Sequence, residues 1–328
     1  MGTEIYPWHS AHFDRIVRMR AGDKLPHALL FSGPENLGKR DFAMAIAAFM
    51  MCRSPHLSSR CEQCDNCRLF NAGTHPDFRL VSPQDSKLIK IEQIRDLIEW
   101  SNQTPQRGGA RTVVIAPAEQ MNVYSANALL KFLEEPGTNT LIMLITDLPG
   151  RLLPTIRSRC QHFDFTIPER ELALSWLKNR VEGVGPDVEL LLSIAGGAPL
   201  AVANDYTDAF LARRHELAVA IGSLIEGENP LVVARKLAGT DPQADLAVIY
   251  SVFADALRLD LSADTKSIKN NDIRDIVELI CDRIDGKGLF AAVDAVARVR
   301  REVSSSSNPN MQLLFEGLAI EMAGYCSL

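Results

Sequence analysis

His27-Ala28-Leu29-Leu30-Phe31-Ser32-Gly33-Pro34-Glu35-Asn36-Leu37-Gly38-Lys39-Arg40 is the stretch that decides the fold. Residues 27–31 form a short apolar run suited to a buried strand, and the apolar segment 42–50 beyond the loop has the character of a helix. Between them, Gly33, Gly38 and Lys39 stand at the spacing of a phosphate-binding loop. In such a loop backbone N–H groups cradle phosphates and the lysine reaches the outer ones. Strand, glycine loop and helix is the context the motif requires. Gly33, Gly38 and Lys39 are therefore the candidate nucleotide-binding residues. The next position breaks the pattern. A working loop carries Ser or Thr there to ligate Mg2+, whereas Arg40 has no lone pair to offer and adds a fixed positive charge.

A second metal-handling position is also missing. Residues 112–116 read as the next buried strand, and in hydrolytic P-loop proteins a strand of this type ends in acids that hold Mg2+ and orient water. Here it runs into Ala116-Pro117-Ala118, and the first acid is Glu119. Both losses together argue against a self-sufficient ATPase, so use of ATP and Mg2+ by this chain is not expected. Binding of a nucleotide without turnover stays open, because Lys39 and the helix N-terminus both attract phosphate.

Four of the seven cysteines crowd into one polar segment as Cys52, Cys61, Cys64 and Cys67. Four thiolates close a tetrahedral shell around Zn2+, the pattern of a structural zinc site with no open position. A reducing cytosol disfavours disulfides, which makes metal binding the preferred reading. A redox pair at Cys61 and Cys64, His56 in place of one thiol, and an iron–sulfur centre are the competing readings. Cys160, Cys281 and Cys326 are dispersed and read as ordinary thiols.

The 328 residues, 46% of them hydrophobic, suffice for two or three domains. No stretch has the apolar length of a membrane span and no signal-peptide core opens the chain, so a cytoplasmic protein without membrane contact is expected. The formal net charge of −6 opposes a large sequence-independent grip on DNA by this chain alone. Strand signals at 77–81, 112–116 and 140–145 alternate with amphipathic helices marked by Ile91, Ile94, Leu97 and Ile98, then by Ala126, Leu129, Leu130 and Leu133. That alternation predicts an α/β region with a mostly parallel sheet. Past about residue 166 the strands fade. A helix opening at Pro168 and containing Trp176 is followed by breaks at 183–186 and 196–199. From about 207 the pattern is helical to the end, interrupted at 304–309.

Tyr6-Pro7-Trp8, His27-Ala28-Leu29-Leu30, the four-cysteine insertion, Ala72-Gly73-Thr74-His75-Pro76-Asp77, Asn127-Ala128-Leu129-Leu130-Lys131 with Glu134-Glu135-Pro136, and Ser158-Arg159-Cys160 occur in this order. Together they resemble the bacterial DNA polymerase III clamp-loader subunits of the AAA+ class, and most of all their delta-prime branch. Specific motifs cover roughly residues 1–200; the remainder fits in length and helical character. The resemblance places Ala116-Pro117 where the ATPase subunits carry Asp-Glu, and Pro199 where they carry a sensor arginine. It implies an AAA+ core at 1–165 with the zinc insertion at 52–67, a small helical lid at 166–206 and a helical collar at 207–328 that oligomerises.

The same resemblance gives Arg159 a role as an arginine finger acting on ATP held by a neighbouring subunit. The partners it implies are gamma/tau-like ATPase subunits and a delta-like subunit, with the sliding clamp and primer-template DNA met through the assembled complex. Two other readings belong to different classes. An active AAA+ ATPase subunit is opposed by Arg40, Ala116 and Pro117. A zinc-bearing nucleic-acid-binding module with a vestigial nucleotide fold is opposed by the acidic charge balance.

Overall fold

A computed structural model describes residues 3–55, 59–84, 86–107, 109–137, 139–180, 188–205, 208–262, 268–303 and 309–326. His56, the break at 183–186 and most of the interruption at 304–309 lie outside the described residues. The contacts divide the chain into two compact units, residues 1–176 and 177–328.

The first unit holds five strands, β1 (Ala28–Ser32), β2 (Phe78–Val81), β3 (Arg111–Ile115), β4 (Thr140–Thr146) and β5 (Gln161–Asp164). All pair in parallel in the order β2-β3-β4-β1-β5. The interior strands β1, β3 and β4 are buried along their whole length, which is why they read as continuous apolar runs rather than alternating ones. Arg111 can open β3 because its guanidinium donates to the Ser101 carbonyl and lies over the Trp100 ring, 5.0 Å from its centroid.

Helices α1 (Ser10–Ala21), α2 (Lys39–Met51), α3 (Asp65–Asn71), α4 (Ile91–Ser101), α5 (Val123–Glu134), α6 (Pro154–Arg157) and α7 (Arg170–Arg180) complete this part. The boundary between the units falls inside α7. Ile94, Leu97, Leu129 and Leu133 enter one core with Ile115 and Ile142, so the helical spacing seen in the sequence marks true buried faces. Asn122 starts α5 by accepting the Ser125 N–H at 2.8 Å.

Strand β5 carries no apolar run. Only Phe163 of its four residues is buried, and it pairs on one side, with β1. Its place is secured by register, with Leu29 opposite Gln161, and by the Ser32 hydroxyl donating to Asp164 at 2.6 Å.

Among the described residues the second unit contains helices and no strand: α8 (Val188–Ile194), α9 (Pro199–Asp205), α10 (Asp208–Ile225), α11 (Pro230–Leu237), α12 (Pro242–Ser262), α13 (Arg274–Arg283), α14 (Gly286–Val303) and α15 (Met311–Ala323). Pro199, read as part of a break, is the first residue of α9, a position where its missing N–H costs nothing. Leu217, Ile249, Phe253, Val296 and Phe315 anchor the shared core of α10, α12, α14 and α15. Fully buried Asp255 accepts the backbone N–H groups of Lys269 and Asn270 at 2.8 Å each and the Asn270 amide at 2.7 Å. Those bonds fasten the chain ahead of α13 to α12.

Candidate functional site

Strand β1 delivers residues 33–38 to the C-terminal edge of the sheet, beside the end of β4, and Lys39 opens α2. Two glycines shape this loop. A Cβ on Gly33, at φ +144°, would stand 2.1 Å from the Phe165 carbonyl oxygen, and one on Gly38, at φ +80°, 2.4 Å from the Tyr6 ring. Only glycine fits at either point. Their freedom is used for close approach by the protein's own residues.

Lys39 is buried, 4% exposed. Its ammonium donates to the Gly33 carbonyl at 2.7 Å and to the Pro34 carbonyl, and it pairs with Asp147 at 2.5 Å. An ammonium has three donors, and all three are engaged. Asp147 follows β4, and its own N–H donates to Glu119 Oε1 at 3.1 Å. Glu119 lies in a 3-10 turn, Ala118–Gln120, beyond Ala116 and Pro117. The end of β3 thus carries no carboxylate. Arg40 is exposed on the first turn of α2.

Aromatic side chains cover the loop. The Tyr6 hydroxyl donates to Asp41 at 2.9 Å, and its ring stacks on Trp8 with centroids 5.1 Å apart. The Trp8 indole and the His9 Nε2 both contact the Leu37 carbonyl, at 3.0 and 2.7 Å. A carbonyl only accepts, so His9 donates from Nε2 and leaves Nδ1 bare, buried and without a partner among the described residues. Phe42 and Phe165 stand edge-on to the His9 ring at 5.1 and 5.2 Å. Burial in this setting lowers the His9 pKa to about 4, against the pull of the Leu37 carbonyl and with the help of His12 and Lys39.

Arg159 sits just past α6, in a loop held by the Arg159 N–H to Ile156 carbonyl bond. Its side chain is 37% exposed and meets Glu134, at the end of α5, through Nε at 2.9 Å and through a second guanidinium nitrogen at 2.6 Å. A third nitrogen donates to the Thr155 carbonyl at 2.9 Å. The fork is held at the surface, and its partner Glu134 is itself 52% exposed. Such an exposed pair is worth little in stability.

The four cysteines converge. Cys52 ends α2, Cys61 lies in the connecting loop, Cys64 caps α3 and Cys67 lies within it. The ligand atoms of all four lie within 4.8 Å of one another, and the Cys61 and Cys67 sulfurs are 4.0 Å apart. Sulfurs around a tetrahedral zinc at the usual bond length stand about 3.8 Å apart, so the donor set fits a metal ion. Backbone N–H groups already point at sulfur, Cys61 N–H to Cys52 at 3.3 Å and Cys64 N–H to Cys61 at 3.4 Å. Burial opposes ionisation of Cys64 most, yet N–H donors and neighbouring thiols carry its pKa down to about 6. The Cys64 and Gln63 N–H groups lower Cys61 as well, while burial pushes Cys52 and Cys67 up.

The structure therefore brings Gly33, Gly38 and Lys39 into one loop and the four cysteines into one cluster, and holds Arg159 on Glu134. Sequence reading had no means of finding Asp147 and Glu134 as partners. Asp147 is merely the first charged residue after the apolar run of β4, and Glu134 one of two adjacent acids.

A family model described as DNA polymerase III, delta subunit, matches residues 8–169, and one for the C-terminal part of that subunit matches 208–323. DNA polymerase III subunit delta' of Pseudomonas aeruginosa is 33% identical over 327 residues, covering 98% of both chains. Its Escherichia coli counterpart is 27% identical over 98% of this chain and 96% of that one. A Bacillus subtilis protein of the same name is 40% identical over 52% of this chain and 51% of its own. Among solved structures, a gamma subunit-related protein of Thermotoga maritima aligns over 96% of this chain and 98% of that one at 17% identity, with a TM-score of 0.44, and adds nothing to the assignment. Identity of one residue in three, sustained from end to end, settles the kinship: the chain belongs to the DNA polymerase III delta-prime subunit family.

Proposed function

We propose that this chain is the non-hydrolysing delta-prime subunit of a DNA polymerase III clamp loader, supplying Arg159 to ATP held by an adjacent gamma/tau-like subunit. The observation that carries the reading is an asymmetry between two cations. Lys39, which would serve the chain's own nucleotide, has every donor engaged inside the loop. Arg159 presents a planar, permanent charge at the surface, paired with Glu134, which is itself half exposed. A guanidinium beside the transferred phosphoryl group stabilises the charge developing there. The loss of hydroxyl at Arg40 and of acids at Ala116-Pro117 supports the absence of Mg2+ handling. The four cysteines hold a structural zinc, since a short polar segment cannot bury enough apolar surface to order itself. The domain division at 1–165, 166–206 and 207–328, with the last part as an oligomerising collar, belongs to the same proposal. So does assembly with a delta-like subunit, the sliding clamp and primed DNA.

The decisive experiment uses a reconstituted ring in which the ATPase sites not facing Arg159 carry inactivating P-loop substitutions. Arg159→Ala should lower DNA-stimulated ATP hydrolysis at the remaining site by on the order of a thousandfold or more, equivalent to about 4 kcal/mol. Undiminished hydrolysis would refute the finger.

A further inference from the structure

Arg20, in the last turn of α1, is a half-buried cation with no carboxylate within ion-pair distance among the described residues. A cation in that position is costly unless another charge answers it. Its guanidinium lies over the Phe49 ring, 4.7 Å from the centroid, and one nitrogen donates to the Phe49 carbonyl at 3.1 Å. The same carbonyl accepts the Cys52 N–H at 3.3 Å. Arg20 and the backbone of Cys52 therefore share one acceptor in the last turn of α2, and both line one concavity. A cation there also complements the partial negative charge of a helix C-terminus.

Four thiolates around a divalent ion leave a net charge of about −2, which needs compensation when half of the thiols are buried. Cys52, 5% exposed, is the thiol at the end of α2 beside Arg20. We propose that Arg20 is a positioning residue for the four-cysteine centre: it fixes Cys52 through the shared Phe49 carbonyl and balances the negative charge of the metal-loaded thiolates. The inference rests on the reading of the cysteines as a metal site. No sequence pattern marks Arg20, which lies far upstream of the cysteines.

The test is Co2+ and Zn2+ titration of the full chain, comparing wild type with Arg20→Gln and Arg20→Lys, each first shown to keep its circular dichroism spectrum. Arg20→Gln should weaken Zn2+ binding, read by chelator competition, by about tenfold to a hundredfold, as loss of an outer-shell partner does. Arg20→Lys, which keeps the charge, should recover most of that loss. The sulfur-to-cobalt charge-transfer bands should persist in all three proteins. Unchanged Zn2+ affinity in Arg20→Gln overturns the proposal, and so does equal loss in both variants, which would assign Arg20 to packing alone. A wild-type chain with no tetrahedral cobalt spectrum would instead overturn the metal reading.

Discussion

At the scale of single residues, His9 reports how tightly the phosphate loop is closed. Its Nε2–H is committed to the Leu37 carbonyl, so a second proton would have to enter at Nδ1, amid Tyr6, Trp8, Phe42 and Phe165. The folded protein resists that proton down to about pH 4, whereas an unfolded histidine takes it near 6.5. Between those values the unfolded chain binds more protons, so stability falls as the pH falls, and the contribution is complete above about 6.5. Denaturant unfolding should show wild type losing up to about 3 kcal/mol relative to His9→Gln across that window. Parallel pH profiles for the two proteins would contradict the buried, neutral state. Lys39 belongs to the same closed arrangement. Its residue type and spacing are those of a phosphate ligand, and only its three acceptors reveal a side chain turned inward.

At the scale of elements, the cysteine cluster joins the end of the P-loop helix α2 to the short helix α3. Asn66 strengthens the joint by donating to the Met51 carbonyl at 2.9 Å, and Arg107 in turn donates to Asn66 at 3.1 Å. A seven-residue helix such as α3 cannot sustain itself by backbone bonds alone. Replacing Cys61→Ser and Cys64→Ser together should take bound zinc from about one equivalent to a small residue, measured by elemental analysis of the purified chain. Full zinc content in that variant would remove the cysteines from the site. The clustering of these residues was legible because all four cysteines lie within one local segment. Strand β5 was not, because its stability comes from pairing with β1 and from Phe163 alone, with no apolar run to announce it.

At the scale of the whole molecule, each unit carries its own apolar core, and the helical one is specified by buried polar bonds as well. Arg213 grips Asp245 with two nitrogens at 3.0 Å each, and Arg214, 2% exposed, reaches Asp272 and Asn270. Asp255, without any exposure of its own, accepts from the Arg258 guanidinium and holds three N–H groups of Lys269 and Asn270. Asp255→Ala strands those donors away from water and should cost on the order of 3 kcal/mol, read as an earlier transition in urea followed by helical signal. An unmoved midpoint would show that the network contributes no net stability.

The sequence by itself determined the strand–loop–helix start, the residues Arg40 and Ala116-Pro117 that interrupt the phosphate-loop pattern, the helical second half and the four-thiol set. Each of these depends on residue type at short spacing, which a linear chain displays directly. Tertiary structure decided that Lys39 is closed on Asp147, that Glu134 holds Arg159, that β5 borders β1 and that Arg20 reaches the end of α2. Those pairings join positions from separate elements, and which side chains meet is set by how the elements pack and register, not by any periodicity along the chain.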